Sequence, residues 1–174
     1  IVSIPLVWEY FLRDYQKERI LIFLDPSKDP LGAGYHIIQS KLAIGSGELF
    51  GYGFLNGPQN RLKFIPEQYT DFIFSLIGEE FGFVGSLIVI ILFLSLFIVG
   101  LYISCKSDSK AGLLVGIGII STFCIHMFVN IGMTIGLLPV TGIPLPFISY
   151  GRSGLIVNMI SIGILSSISK RRVL

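Results

Sequence analysis

Residues 84–103 read VGSLIVIILFLSLFIVGLYI, twenty positions without a charged side chain. A bilayer core about 30 Å thick takes about 20 apolar residues of helix to cross. The stretch therefore predicts a spanning helix, beginning near Phe72. Glu79 and Glu80 then fall about two turns in, where the favourable pull of the helix dipole on a carboxylate is already fading.

Beyond this run, Cys105–Lys110 (CKSDSK) is a short polar turn, and residues 111–138 are again uncharged and long enough to span. Pro139, Pro144 and Pro146 then stop any helix. A third apolar run, Ser153–Ser169, ends at Lys170-Arg171-Arg172. Before the first run, residues 35–50 (YHIIQSKLAIGSGELF) are moderately apolar but carry Lys41 and Glu48. On a helix His36, Gln39, Ser40, Ala43 and Gly47 share one narrow face of small and polar groups, which suits close helix contact. This segment predicts a re-entrant or broken membrane helix. The start, Ile1 to Trp8, has no Met and no basic region, so it is no signal peptide. It reads as the tail of a membrane helix cut mid-span. The expectation is a single all-α domain over 1–174, a polytopic transmembrane bundle of about four membrane helices plus the cut one.

Composition agrees. Of 174 residues 52% are hydrophobic and 14% charged, and mean hydropathy is +0.78; a soluble domain carries about 25% charged residues. A net charge of +2 gives nucleic acid no electrostatic foothold. Cys105 and Cys124 lack disulfide-framework or zinc spacing.

If the helices alternate, Arg13, Lys17, Arg19, Lys28, Lys106, Lys110, Lys170, Arg171 and Arg172 share one side, nine of thirteen basic residues. The positive-inside rule makes that side cytoplasmic. The loops around 51–71 and 139–152 are then external, with Lys41 at membrane depth.

Asp71 falls where the first external loop enters its helix, and two compatible readings are open. It caps the helix N-terminus, or it is a partly desolvated general base for a substrate hydroxyl. Glu67 pairs with Lys63, couples to Asp71 or is a solvated loop acid. Lys41 either snorkels to an interface or serves a site. His126, alone in an apolar helix, reads as a satisfied core histidine more readily than as a ligand. Arg152, at a helix start, is an anion contact or a solvated interfacial arginine.

The motifs resemble a known family. Ala33-Gly34-Tyr35-His36-Ile37-Ile38-Gln39-Ser40-Lys41, Pro66-Glu67 with Thr70-Asp71-Phe72-Ile73-Phe74, Gly78-Glu79-Glu80-Phe81-Gly82, Asn130-Ile131-Gly132-Met133, and Leu138-Pro139-Val140-Thr141-Gly142-Ile143-Pro144-Leu145-Pro146-Phe147-Ile148-Ser149-Tyr150-Gly151 occur in order along nearly the whole chain. Together they resemble the SEDS proteins, the RodA branch more than FtsW. The resemblance implies the C-terminal portion of a fold of about ten helices in the bacterial cytoplasmic membrane, with its active loop outside. It implies a peptidoglycan glycosyltransferase that polymerises lipid II during cell-wall elongation, with Asp71 as the essential aspartate and a class B penicillin-binding protein as partner. The family admits a divalent cation, and no ligand set for one stands out. Lys41, Gln59, Arg61, Lys63, Glu67, Ser149 and Arg152 are the candidate substrate-binding residues. Gly51-Tyr52-Gly53 and Tyr150-Gly151-Arg152-Ser153 depart from the family's common Gly-Lys-Gly and Tyr-Gly-Gly-Ser. The alternatives are a transporter of lipid-linked precursors, which needs charge along a transmembrane path, and an inactive fragment.

Overall fold

A computed structural model describes residues 13–29, 32–58 and 69–170. In chain order these form α1 (Asp14–Leu24), a 3-10 turn (Pro26–Lys28), α2 (Ala33–Ser46), α3 (Ile73–Cys105), α4 (Lys110–Thr134) and α5 (Arg152–Lys170). No strand occurs among the described residues. The expected cut helix at 1–12 lies outside them.

Among the described residues three helices are long and apolar enough to cross a membrane: α3, α4 and residues 152–169 of α5. The tight turn at 106–109 makes α3 and α4 antiparallel, and the Ser109 hydroxyl caps α4 by accepting from Gly112 N at 2.9 Å. The two helices approach where small residues meet larger ones, Gly100 against Ile120 and Gly116 against Ser104. Removing Cβ atoms lets the backbones close in, which is how membrane helices gain packing energy without a hydrophobic drive between them. Phe74, Phe93, Phe97, Ile120, Phe123, Leu145 and Leu165 form the core. On the outer surfaces Ile98, Leu114 and Phe128 are each about two-thirds exposed. Apolar surface on that scale calls for lipid or protein against it, not water.

The helix expected to run unbroken from Phe72 is broken. Gly82 has φ 65° and ψ −159°, a conformation essentially restricted to glycine. Apolarity could not signal this, since glycine is common in membrane helices. From Ile73, Gly82 lies about 14 Å along the helix at about 1.5 Å per residue, near the middle of a bilayer core. Backbone groups freed there must find partners. Phe83 N and Val84 N donate to Glu48 O and Leu49 O at 2.9 and 3.1 Å, while Tyr52 N and Gly53 N donate to Glu79 O and Glu80 O at 3.0 and 2.9 Å. Glu79 and Glu80 are themselves buried.

The segment that seals the break is the re-entrant piece the sequence predicts. The His36 ring lies against Phe72 at the mouth of α3, with centroids 6.2 Å apart. Further along α2, Gly47 abuts Gly78, and Gly51 abuts Glu80 and Gly82. The helix thus enters from the Asp71 end and runs inward beside the first turns of α3. The chain then turns back, with Gly57 against the Glu79 carboxylate. Ser40 and Ala43 of the predicted small face are buried.

The placement of residues 13–28 is corrected. Arg19 Nη1 donates to Val140 O at 2.8 Å, so α1 lies on the same membrane face as the 139–152 loop, not the opposite one. Tyr35 N bonds Asp29 O at 3.2 Å, tying that corner to the start of α2. The reason is that α2 is re-entrant and does not cross, so sides do not alternate before Asp71. Arg13, Lys17, Arg19 and Lys28 therefore join the Asp71 face, and positive charge no longer separates the two faces.

Candidate active site

The site is built where α3 begins, α4 ends and the proline-rich loop folds back. Helix α4 closes at Gly136 (φ 73°) with Leu137 N bonded to Gly132 O at 2.7 Å and Gly136 N to Met133 O at 3.2 Å. This is the two-bond glycine stop, which a Cβ would strain. The loop beyond is anchored by apolar burial. Leu145 is 1% exposed within the core, and Phe147 packs edge-on against Phe123 at 5.2 Å.

Asp71 is half-buried in the turn 69–72. The N-cap position of α3 falls on Phe72, whose side chain makes no capping bond, so Asp71 stands one residue earlier. A Cβ on Gly142 (φ 74°) would lie 3.3 Å from Asp71 Oδ2, so the carboxylate rests over that bare Cα. Side chains grip both strands of the site. Asn130 Nδ2 donates to Asp71 O and to Ile143 O, each at 2.8 Å. Ser149 Oγ donates to Thr70 O at 2.6 Å and accepts from Leu145 N at 2.8 Å. Tyr150 N bonds Tyr69 O at 2.8 Å.

Lys41 and Arg152 bring cations to the same end. Ser40 Oγ donates to Thr134 O at 2.8 Å, which sets α2 against the end of α4. The Lys41 stem then crosses Gly136. Its exposed ammonium is at the negative end of the α4 dipole, a favourable place for a cation. It sits level with the helix end and not at mid-membrane depth. Arg152 is exposed at the first turn of α5, two residues after Tyr150. Asp71, Ser149, Lys41 and Arg152 thus share one face, while Gln59, Arg61, Lys63 and Glu67 lie outside the described residues. Among the described residues no group of three or more His, Cys, Asp or Glu is placed to hold a metal. His126 is half-buried and lines a cavity of about 310 Å³ beneath Pro144–Gly151, beside Asn158.

Two residues of the site escape a reading of the sequence. Arg19 counts there only as a topology charge, and nothing local marks its reach to Val140. Asn130 stands within a motif and carries no role of its own. A signal for it does exist, an amide in an otherwise apolar span.

The sequence profile of the FtsW/RodA/SpoVE family, described as "Cell cycle protein", matches residues 1–173. The peptidoglycan glycosyltransferase MrdB of Escherichia coli K12 is 50% identical over 169 residues, covering 97% of this chain and 46% of MrdB. The peptidoglycan glycosyltransferase RodA of Treponema pallidum is 51% identical over 161 residues, covering 92% of this chain and 37% of RodA. Stage V sporulation protein E of Bacillus subtilis is 43% identical over 156 residues, 90% of this chain and 42% of its own. A chain in a solved peptidoglycan synthase complex, described for its coordination of polymerization and crosslinking, superposes with a TM-score of 0.75 at 28% identity. The match takes in 98% of this chain and 47% of that one. The chain spans about half the length, or less, of the relatives it matches.

Proposed function

This chain belongs to the FtsW/RodA/SpoVE family, and from that premise we propose that the whole protein polymerises lipid II into glycan strands for cell-wall elongation. The observation that carries the reading is the half-buried Asp71 carboxylate, lying over Gly142 in a turn fixed by Asn130 and Ser149. A held carboxylate with cations on the same face suits a reaction in which a hydroxyl loses a proton and an anion departs.

Asp71 acts as general base. It takes the proton from the 4-hydroxyl of the acceptor sugar as that oxygen attacks the anomeric carbon of the donor. The anomeric carbon–oxygen bond breaks, configuration inverts, and the lipid pyrophosphate leaves with the bonding pair. Inversion needs one base and a stabilised leaving group. Lys41 and Arg152 stabilise the developing charge. Arg61, Lys63, Gln59 and Glu67 complete the substrate contacts by sequence position, and Ser149 holds the wall of the site. The Asp71 face points out of the cytoplasmic membrane, where peptidoglycan is assembled. The similarity to a complex that joins polymerization to crosslinking supports a class B penicillin-binding protein as partner.

The test is Asp71→Asn in the whole protein, reconstituted in liposomes with lipid II. Polymer formation falls by about 10²–10⁴-fold, the usual contribution of a general base, while lipid II still binds. Undiminished polymerisation overturns the assignment. Lipid translocation without polymer would favour the transporter reading.

A further inference from the structure

We infer that Asn130 is a positioning residue for Asp71, acting through the backbone on both sides of the carboxylate. The inference rests on the reading of Asp71 as base. Asn130 is fully buried in α4, at 0% exposure. Both hydrogens of its amide are spent on main-chain oxygens, those of Asp71 and Ile143. Ile143 follows Gly142, the residue over which Asp71 Oδ2 lies. One planar amide thus sets the backbone that carries the carboxylate and the wall that the carboxylate rests on.

The other half of the amide shows why the residue is not there for stability alone. Asn130 Oδ1 is buried with no hydrogen-bond partner among the described residues. A buried, unsatisfied acceptor is costly, and an apolar side chain of the same shape avoids that cost. Keeping an amide there is explained by the two donors it aims. Rigid spacing between two backbone segments is what a base needs, because a misplacement of about 1 Å can cost about 100-fold in rate.

The experiment uses the whole protein with lipid II. Asn130→Leu keeps the volume and removes both the donors and the orphan acceptor. The expected result is a folded protein with a modestly lowered unfolding midpoint, because two main-chain oxygens lose their donor, a KM within about threefold, and a kcat reduced by about 10–100-fold. A second variant, Asn130→Ala, is measured alone and combined with Asp71→Glu, whose longer side chain already displaces the carboxylate. If Asn130 works through Asp71, the alanine change costs far less in that background than in the parent. An unchanged kcat, an equal multiplicative loss in both backgrounds, or failure of both Asn130 variants to fold overturns the inference. If Asp71→Asn abolishes polymerisation while Asn130→Leu leaves kcat intact, the base stands and only the positioning role falls. If Asp71→Asn is fully active, the base reading fails first and takes this inference with it.

Discussion

The chain is irregular at two places along one stretch, the Asp71 turn that opens α3 and Gly82 within α3, and it holds them by different means. At Gly82 four backbone-to-backbone bonds between 48–53 and 79–84 close the gap. At the Asp71 turn the repair runs mainly through side chains, Asn130 and Ser149, with one backbone bond from Tyr150 to Tyr69. The first repair is indifferent to most side chains but depends on glycines where backbones touch. The second also uses a glycine, Gly142 under the carboxylate, but depends on particular side-chain donors. A deep break sealed by main chain serves architecture. A shallow turn held by side chains can be tuned residue by residue, as the proposed base would require.

The largest effect is expected at the backbone-sealed break. Gly82→Ala puts a Cβ about 2.5 Å from Gly51 N in a conformation L-residues avoid. It should cost on the order of 3 kcal/mol, read as a lowered unfolding midpoint and poor recovery of folded protein in detergent. A neutral Gly82→Ala would break the distinction. Next is Ser149→Ala, which removes the acceptor for Leu145 N and the donor to Thr70 O. A loss of about 1–3 kcal/mol should come with reduced polymerisation and a largely preserved fold; unchanged activity would mean the turn is held without it. The smallest is Arg19→Met, which cuts the exposed bond to Val140 O while keeping the aliphatic stem. It should cost less than about 1 kcal/mol, and a larger shift would show that α1 belongs to the clamp.

The spans are legible because twenty consecutive residues without a charge cannot be wrapped in water and fit the thickness of a bilayer. The α4 stop is legible only roughly, because the prolines mark an end after Leu138 while the helix closes at Thr134, where Gly136 takes a positive φ that the sequence does not announce. The narrow face of α2 is legible because Ser40, Ala43 and Gly47 recur at helical spacing, and the structure buries all three. Asp71 is legible as a carboxylate at a helix entrance, but chemistry alone leaves it between cap and base. Gly82 is not legible, because nothing in an apolar run distinguishes a packing glycine from one with positive φ. The side of the membrane occupied by Arg13–Lys28 comes out wrong from charge alone, because counting charges presumes that every helix crosses.

The sequence by itself determined that this is an all-helical membrane protein, which helices span, and which family carries its motifs. Those properties follow from local composition, from periodicity and from residue identity at fixed spacing. Only the tertiary structure decided that α2 dips and returns, that Arg13–Lys28 lie on the Asp71 face, and that Asn130 joins Asp71 to the loop containing Ile143. Each of these is a pairing between residues distant in the chain. Helical periodicity says which face of a segment is buried and carries no information about the segment it is buried against.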